Sequence, residues 1–174
     1  TADDNSETIL MHLVRGTGLK GLGGISPVNG NVIRPLLGAT RRDVLDFLQE
    51  YHLQYVNDSS NETDQFLRNR LRHHVMPLLK QENPRLAENL SATALRLRQD
   101  EACLSELAMV ETMDVSVLRK MPPALRSRAL ERFLKDCGIR EPEASHIAQA
   151  EAVVFSEKPS AFAAFGGLTL RRSY

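Results

Sequence analysis

Apolar residues recur at helical spacing just behind a run of acids: Ile9, Leu10, Leu13 and Val14 follow Asp3, Asp4 and Glu7, and the run stops at Gly16. This pattern predicts a helix over 5–15, with Asp4 as its N-cap and Glu7 completing an Asp form of the capping box. Residues 16–31 hold Gly16, Gly18, Gly21, Gly23, Gly24, Pro27 and Gly30, which predicts a loop with one short helical turn. NVIRPLL (31–37) and LQYVND (53–58) are β-prone runs, and between them Thr40 caps a helix carrying Val44, Leu45, Phe47 and Leu48 to about Tyr51. Strand, loop, helix and strand in that order fit the C-terminal half of an α/β sheet.

From about Thr63 the pattern is nearly all helical. Leu67, Leu71 and Val75 share a face, with Pro77 closing or kinking that helix. Leu86, Leu90, Ala94 and Leu97 mark a long helix to about Val110. Pro122–Pro123 open another that stops at Gly138, and a further helix runs from Glu141 to Phe155. AFAAFGGLTLRRSY reads as a hairpin turning at Gly166–Gly167. The fold class expected is α/β, then mainly α. The boundary falls in the polar stretch DSSNETDQF (58–66), dividing the chain into 1–62 and 63–174.

Composition changes this picture little. The 174 residues are 42% hydrophobic, and no apolar run approaches the roughly 18 residues of a membrane span. Two cysteines, Cys103 and Cys137, make neither a disulfide framework nor a zinc ribbon, so a reducing cytoplasm is expected, with each thiol a buried small apolar group. Charge is more informative. The net charge is zero, yet residues 65–99 carry seven Lys/Arg against two acids, and residues 100–114 carry five acids and no base. Opposed blocks are compatible with a polyanion-binding surface in the middle of the chain, or simply with solvated helix faces.

Three clusters can carry chemistry. Asp4 and Glu7, three residues apart, project near one helix terminus and suit Mg²⁺ or a ligand ammonium; from spacing alone, capping is the better account of them. The loop RGTGLKGLGG (15–24) could wrap an anion with backbone N–H groups, helped by Arg15 and Lys20, but it lacks a Walker A ending and follows a helix. In QFLRNRLRHHVMPLL, Arg68 and Arg72 share a face and Arg70 lies on another. These guanidiniums suit phosphates; alternatively, Arg70 or Arg72 could reach back across the domain boundary into an anionic site. His73 and His74, pointing about 100° apart, make a poor metal pair.

Together these motifs resemble the tRNA(Ile)-lysidine synthase family of the PP-loop superfamily. Its signature order appears as ADDNSET (2–8), RGTGLKGLGG (15–24), RPLL (34–37), DSSN (58–61) and RNRLRHHVMPLL (68–79). The resemblance is close over 1–90 and loose beyond. It implies the C-terminal half of a Rossmann-like, adenine nucleotide alpha hydrolase-like (PP-loop) domain, followed by a helical substrate-binding domain. It also implies an ATP-dependent ligase that adenylates C2 of the wobble cytidine in the CAU anticodon of tRNA(Ile). Free lysine then attacks that carbon to form lysidine.

By this resemblance the catalytic residues are Asp4, Glu7, Arg70 and Arg72, with Asp4 and Glu7 binding lysine. Arg15, Gly16, Thr17 and Gly18 would line the pocket for lysine and the target base. Lys20, Arg68, Asn69, Arg70 and Arg72 would meet tRNA, with Asp3 and Thr8 supporting the helix terminus or metal-bound pyrophosphate. ATP with Mg²⁺ is the implied co-substrate, with no prosthetic group; no metal ligand is assigned, and a homodimer stays open. The family's S-G-G-x-D-S loop is absent from these 174 residues. The expectation is therefore a piece of a longer protein that does not form lysidine alone. Two rivals remain: a thiolase-like PP-loop enzyme, against which the wide Cys103–Cys137 spacing counts, and a non-catalytic RNA-binding helical module.

Overall fold

In the computed structural model, which describes residues 1–56, 63–165 and 167–172, the acids and first apolar residues form one helix, α1 (Ala2–Val14). Its N-cap is Thr1 and not Asp4. The Asp4 amide donates to the Thr1 hydroxyl at 3.3 Å, and the Asp4 carboxylate accepts from the Thr1 hydroxyl and nitrogen. Asp4 is thus the third residue of the capping box, so the helix starts earlier than expected and Glu7 is left outside the cap. The buried stripe is also unexpected. Ala2, Asn5, Ser6, Glu7 and Ile9 face inward, while Leu13 and Val14 are exposed.

The glycine loop contains the short helix α2 (Leu19–Leu22), then the two-residue strands β1 (Val28–Asn29) and β2 (Val32–Ile33), paired antiparallel. Pro35–Gly38 forms a 3₁₀ turn where a strand was expected to continue. Thr40 caps α3 (Arg41–Glu50), as its sequence predicts, and the structure adds a reciprocal box with Asp43. Residues 53–56 carry no strand; the rest of LQYVND, the DSSN motif and most of the expected boundary lie outside the described residues.

Helix α4 (Leu67–Arg70) runs through a π-helical segment (Leu71–Val75) into α5 (Met76–Glu82). Pro77 accounts for the wide turn: it has no N–H for the His73 carbonyl, and its ring crowds that carbonyl. α6 (Leu86–Leu107) follows. By its contacts the chain divides into two units, Thr1–Glu101 and Ala102–Tyr174, so α4, the π-helical segment, α5 and most of α6 belong with the first unit, where α4 and the π-helical segment pack against α1.

The second unit contains α7 (Val115–Lys120), capped by Asp114 and unforeseen in the sequence, and α8 (Pro123–Asp136), ended by Gly138 at φ +104°. It continues with α9 (Ala144–Phe155) and the hairpin β3 (Phe162–Phe165)–β4 (Leu168–Arg171), in register from Phe162↔Arg171 to Phe165↔Leu168. Its core is Leu118, Ala129, Leu130, Leu134, Ala150, Val154 and Phe165. Each buried large side chain there contributes about 1.5–3 kcal/mol.

Cys103 and Cys137 are both exposed, contrary to expectation: one lies on the outer face of α6 and the other at the frayed end of α8. No helix among the described residues is long and apolar enough to cross a membrane.

Candidate functional site

Glu7 sits on the buried stripe of α1 with its side chain only 4% exposed, and a carboxylate there requires cationic partners. It has two. Arg72 forks onto it, Nε to Oε1 at 2.6 Å and Nη2 to Oε2 at 2.8 Å, and Arg68 Nε donates to Oε2 at 2.9 Å. Both arginines come from the segment some sixty residues later, and their i, i+4 spacing presents them together to α1. Arg72 Nη2 also reaches Asp4 Oδ1 at 3.2 Å, and Arg68 Nη2 meets the Asp4 carbonyl at 3.3 Å. Asp4 remains the accessible acid of the group, with 37% of its side chain exposed.

Asp3 is turned to another task. One oxygen accepts the Arg41 amide at 2.6 Å, at the positive end of α3, and the other accepts Lys80 Nζ at 2.6 Å. Burial alone would raise the Asp3 carboxyl, but Arg41 and Lys80 outweigh it and hold it below the ordinary carboxylate range. Asp4 follows the same logic: burial raises it, and Thr1 and Arg68 bring it lower overall. The Glu7 hydrogen bonds push Arg72 upward against the effect of burial. A cleft of about 490 Å³ opens beside these groups, lined in part by Asp3, Glu7, Arg72, Met76 and Lys80.

Asp4, Glu7, Arg68 and Arg72 are therefore brought together; other predicted residues are not. Arg70 Nη1 donates to the carbonyls of Asp64 and Gln65, away from the acids. Asn69, expected to face tRNA, is 7% exposed and donates to the Thr63 carbonyl at 2.6 Å, because it lies on the inward side of α4. Arg15, Gly16, Thr17, Gly18 and Lys20 follow the far end of α1, about 16 Å along the axis from Asp4 at 1.5 Å per residue. Only the later part of that loop returns. The Ile25 amide donates to Asn5 Oδ1 at 2.8 Å, and Gly24 at φ +65° lies so close that a Cβ would sit 2.3 Å from that oxygen. Arg98, a residue the sequence did not single out, clamps the loop by donating to the Gly23 carbonyl at 2.5 Å and the Ile25 carbonyl at 3.3 Å.

His73 and His74 meet the two oxygens of Asp64 at 2.8 and 2.6 Å, and these contacts lower the Asp64 carboxyl. Among the described residues no group of three His, Cys, Asp or Glu is arranged to hold a metal ion.

Comparison with known proteins finds two matching family models. A family model described as PP-loop domain matches residues 1–79, and one described as TilS substrate binding domain matches residues 113–174. Curated relatives named tRNA(Ile)-lysidine synthase match as well. The Geobacter sulfurreducens protein is 37% identical over 176 aligned residues, covering 91% of this chain and 37% of the relative. The chain belongs to the tRNA(Ile)-lysidine synthase family.

The Bacillus cereus member is 43% identical over 122 residues, 68% of this chain and 25% of its own length. The Parabacteroides distasonis member is 47% identical over 97 residues, 52% of this chain and 22% of its own. The chain thus spans between 22% and 37% of these relatives' length. In family terms it carries an α/β PP-loop part followed by a helical substrate-binding part.

Proposed function

We propose that this chain works within a cytoplasmic tRNA(Ile)-lysidine synthase, an ATP-dependent ligase joining lysine to the wobble cytidine of a CAU anticodon. In the reaction the cytidine O2 attacks the α-phosphorus of ATP and pyrophosphate leaves. The ε-amine of lysine then attacks C2, loses a proton, and expels AMP, which carries the oxygen away.

The observation that carries the reading is the division of labour between two acids. Glu7 is held by two guanidiniums, and Asp4 is left as the accessible carboxylate beside them. Asp4 takes an ammonium group of lysine. Glu7 acts one step back, fixing Arg72 and Arg68, whose charge faces the lysine carboxylate or the phosphate of the adenylated intermediate. Lys20 and Arg70 add positive charge toward tRNA, and the turn from Arg15 to Gly18 lines the approach of the target base. Both oxygens of Asp3 are engaged by Arg41 and Lys80 and both oxygens of Glu7 by Arg68 and Arg72, so neither fits a Mg²⁺ ligand set; the ion arrives with ATP.

The test is lysidine formation by the full-length protein with ATP, labelled lysine and the tRNA(Ile) transcript. Label should enter tRNA in the wild type and fall by at least about tenfold in Asp4→Asn, the loss expected for one charged hydrogen bond. Undiminished incorporation by Asp4→Asn would refute the assignment.

A further inference from the structure

The second unit contains a cleft that the reaction above does not use. It measures about 770 Å³, within the range of small-molecule sites, and opens between α7, α8, α9 and β4. Leu118, Phe133, Val153 and Leu170 make its wall apolar. Its rim is cationic: Arg119, Lys120, Arg171 and Arg172 stand against Asp114 alone, a local excess of three positive charges. The Asp114 carboxylate is engaged as the cap of α7, accepting the Ser116 amide at 2.6 Å.

Two of the cations are held in place by backbone carbonyls. Arg119 donates to the carbonyls of Val154 at 2.8 Å and Ser156 at 2.9 Å, and Arg172 donates to the Ser156 carbonyl at 2.7 Å. Carbonyls fix a guanidinium's direction but leave its charge for an incoming anion. Arg119, Lys120 and Arg171 are exposed. An apolar slot with one aromatic ring, bordered by oriented cations, suits a flat apolar body bearing anionic groups on one side.

We propose that this cleft takes one unstacked nucleotide of the RNA substrate, its base against Phe133 and Leu170 and its flanking phosphates on Arg119, Lys120 and Arg171. The choice of RNA rests on the tRNA-modifying reading, while the cleft's chemistry stands apart from the acid pair. Aromatic rings beside positive grooves are how proteins hold single-stranded RNA, because every base offers a face to stack.

The probe is a fluorescent ten-nucleotide oligouridylate, titrated by anisotropy against the full-length protein, with an acidic peptide of equal charge as competitor. Lys120→Glu combined with Arg171→Glu should weaken oligouridylate binding at least about tenfold and flatten its salt dependence. Phe133→Ala should weaken it by about tenfold at unchanged salt dependence. Lysine binding should be unaltered in both variants. Wild-type oligouridylate affinity in the double variant overturns the proposal, as does displacement of the oligouridylate by the acidic peptide at equal concentration. Failure of lysidine synthesis with these RNA effects intact would strike the proposed reaction and leave the cleft assignment standing.

Discussion

At the scale of single residues, Glu7 is the costliest group to disturb. A carboxylate 4% exposed and held by two guanidiniums is tolerable only while all three are present. Glu7→Ala leaves Arg72 facing its own kind, and urea unfolding should record a loss of about 3–5 kcal/mol. Asp4 is more exposed and its pairs are solvent-screened, so Asp4→Asn should change stability by less than about 1 kcal/mol. Asp3 supplies a pH signature. Its folded carboxyl titrates below the ordinary value, so its stabilisation is full above the unfolded pKa and is lost as pH falls through the lower folded one. Melting temperature against pH should therefore drop on the acid side of about pH 4 in the wild type, and less steeply in Asp3→Asn.

At the scale of elements, one buried arginine acts as a tie. Arg126 of α8 donates Nε to Glu151 of α9 at 2.9 Å and Nη1 to the Met121 carbonyl at 2.9 Å, with its guanidinium 4.5 Å from the Phe155 ring centre. This one side chain ties α8 to α9 and to the turn before it. Arg126→Ala should cost about 3–5 kcal/mol by thermal unfolding, against little for the exposed Arg132, whose i, i+4 contact with Asp136 is 3.8 Å.

Elements with a strong local signal were legible in sequence: the Thr40 cap, the Pro122–Gly138 helix and the terminal hairpin all follow from caps and periodicity. The start of α1 was misread because Thr1 and Asp4 are both good caps, and only the hydrogen bonds distinguish them. The six-residue α7 has too few turns to declare a period. A guanidinium reaching back to the acids was foreseeable for Arg72, but its companion is Arg68, one turn before it on the same face, and not Arg70. Which acid they would neutralise depends on packing across some sixty residues, which no local pattern encodes.

At the scale of the whole molecule, the two units carry different chemistry. The first buries Asn5, Ser6, Glu7 and Asn69 among apolar residues such as Ile9, Leu71 and Met76; the second has an apolar core and a cationic cleft. A charge total of zero hides this arrangement, because the acids of α1 cancel arginines on the same cluster. Motif order made the family legible, while the residue roles needed the tertiary contacts.

The account rests on one physical division: an outer carboxylate that greets an amino acid's ammonium, and an inner one that only braces guanidiniums. Calorimetric titration of lysine into the full-length protein addresses it directly. Asp4→Asn should abolish measurable heat with the melting temperature held near wild type, whereas an unchanged dissociation constant in that variant would contradict the account.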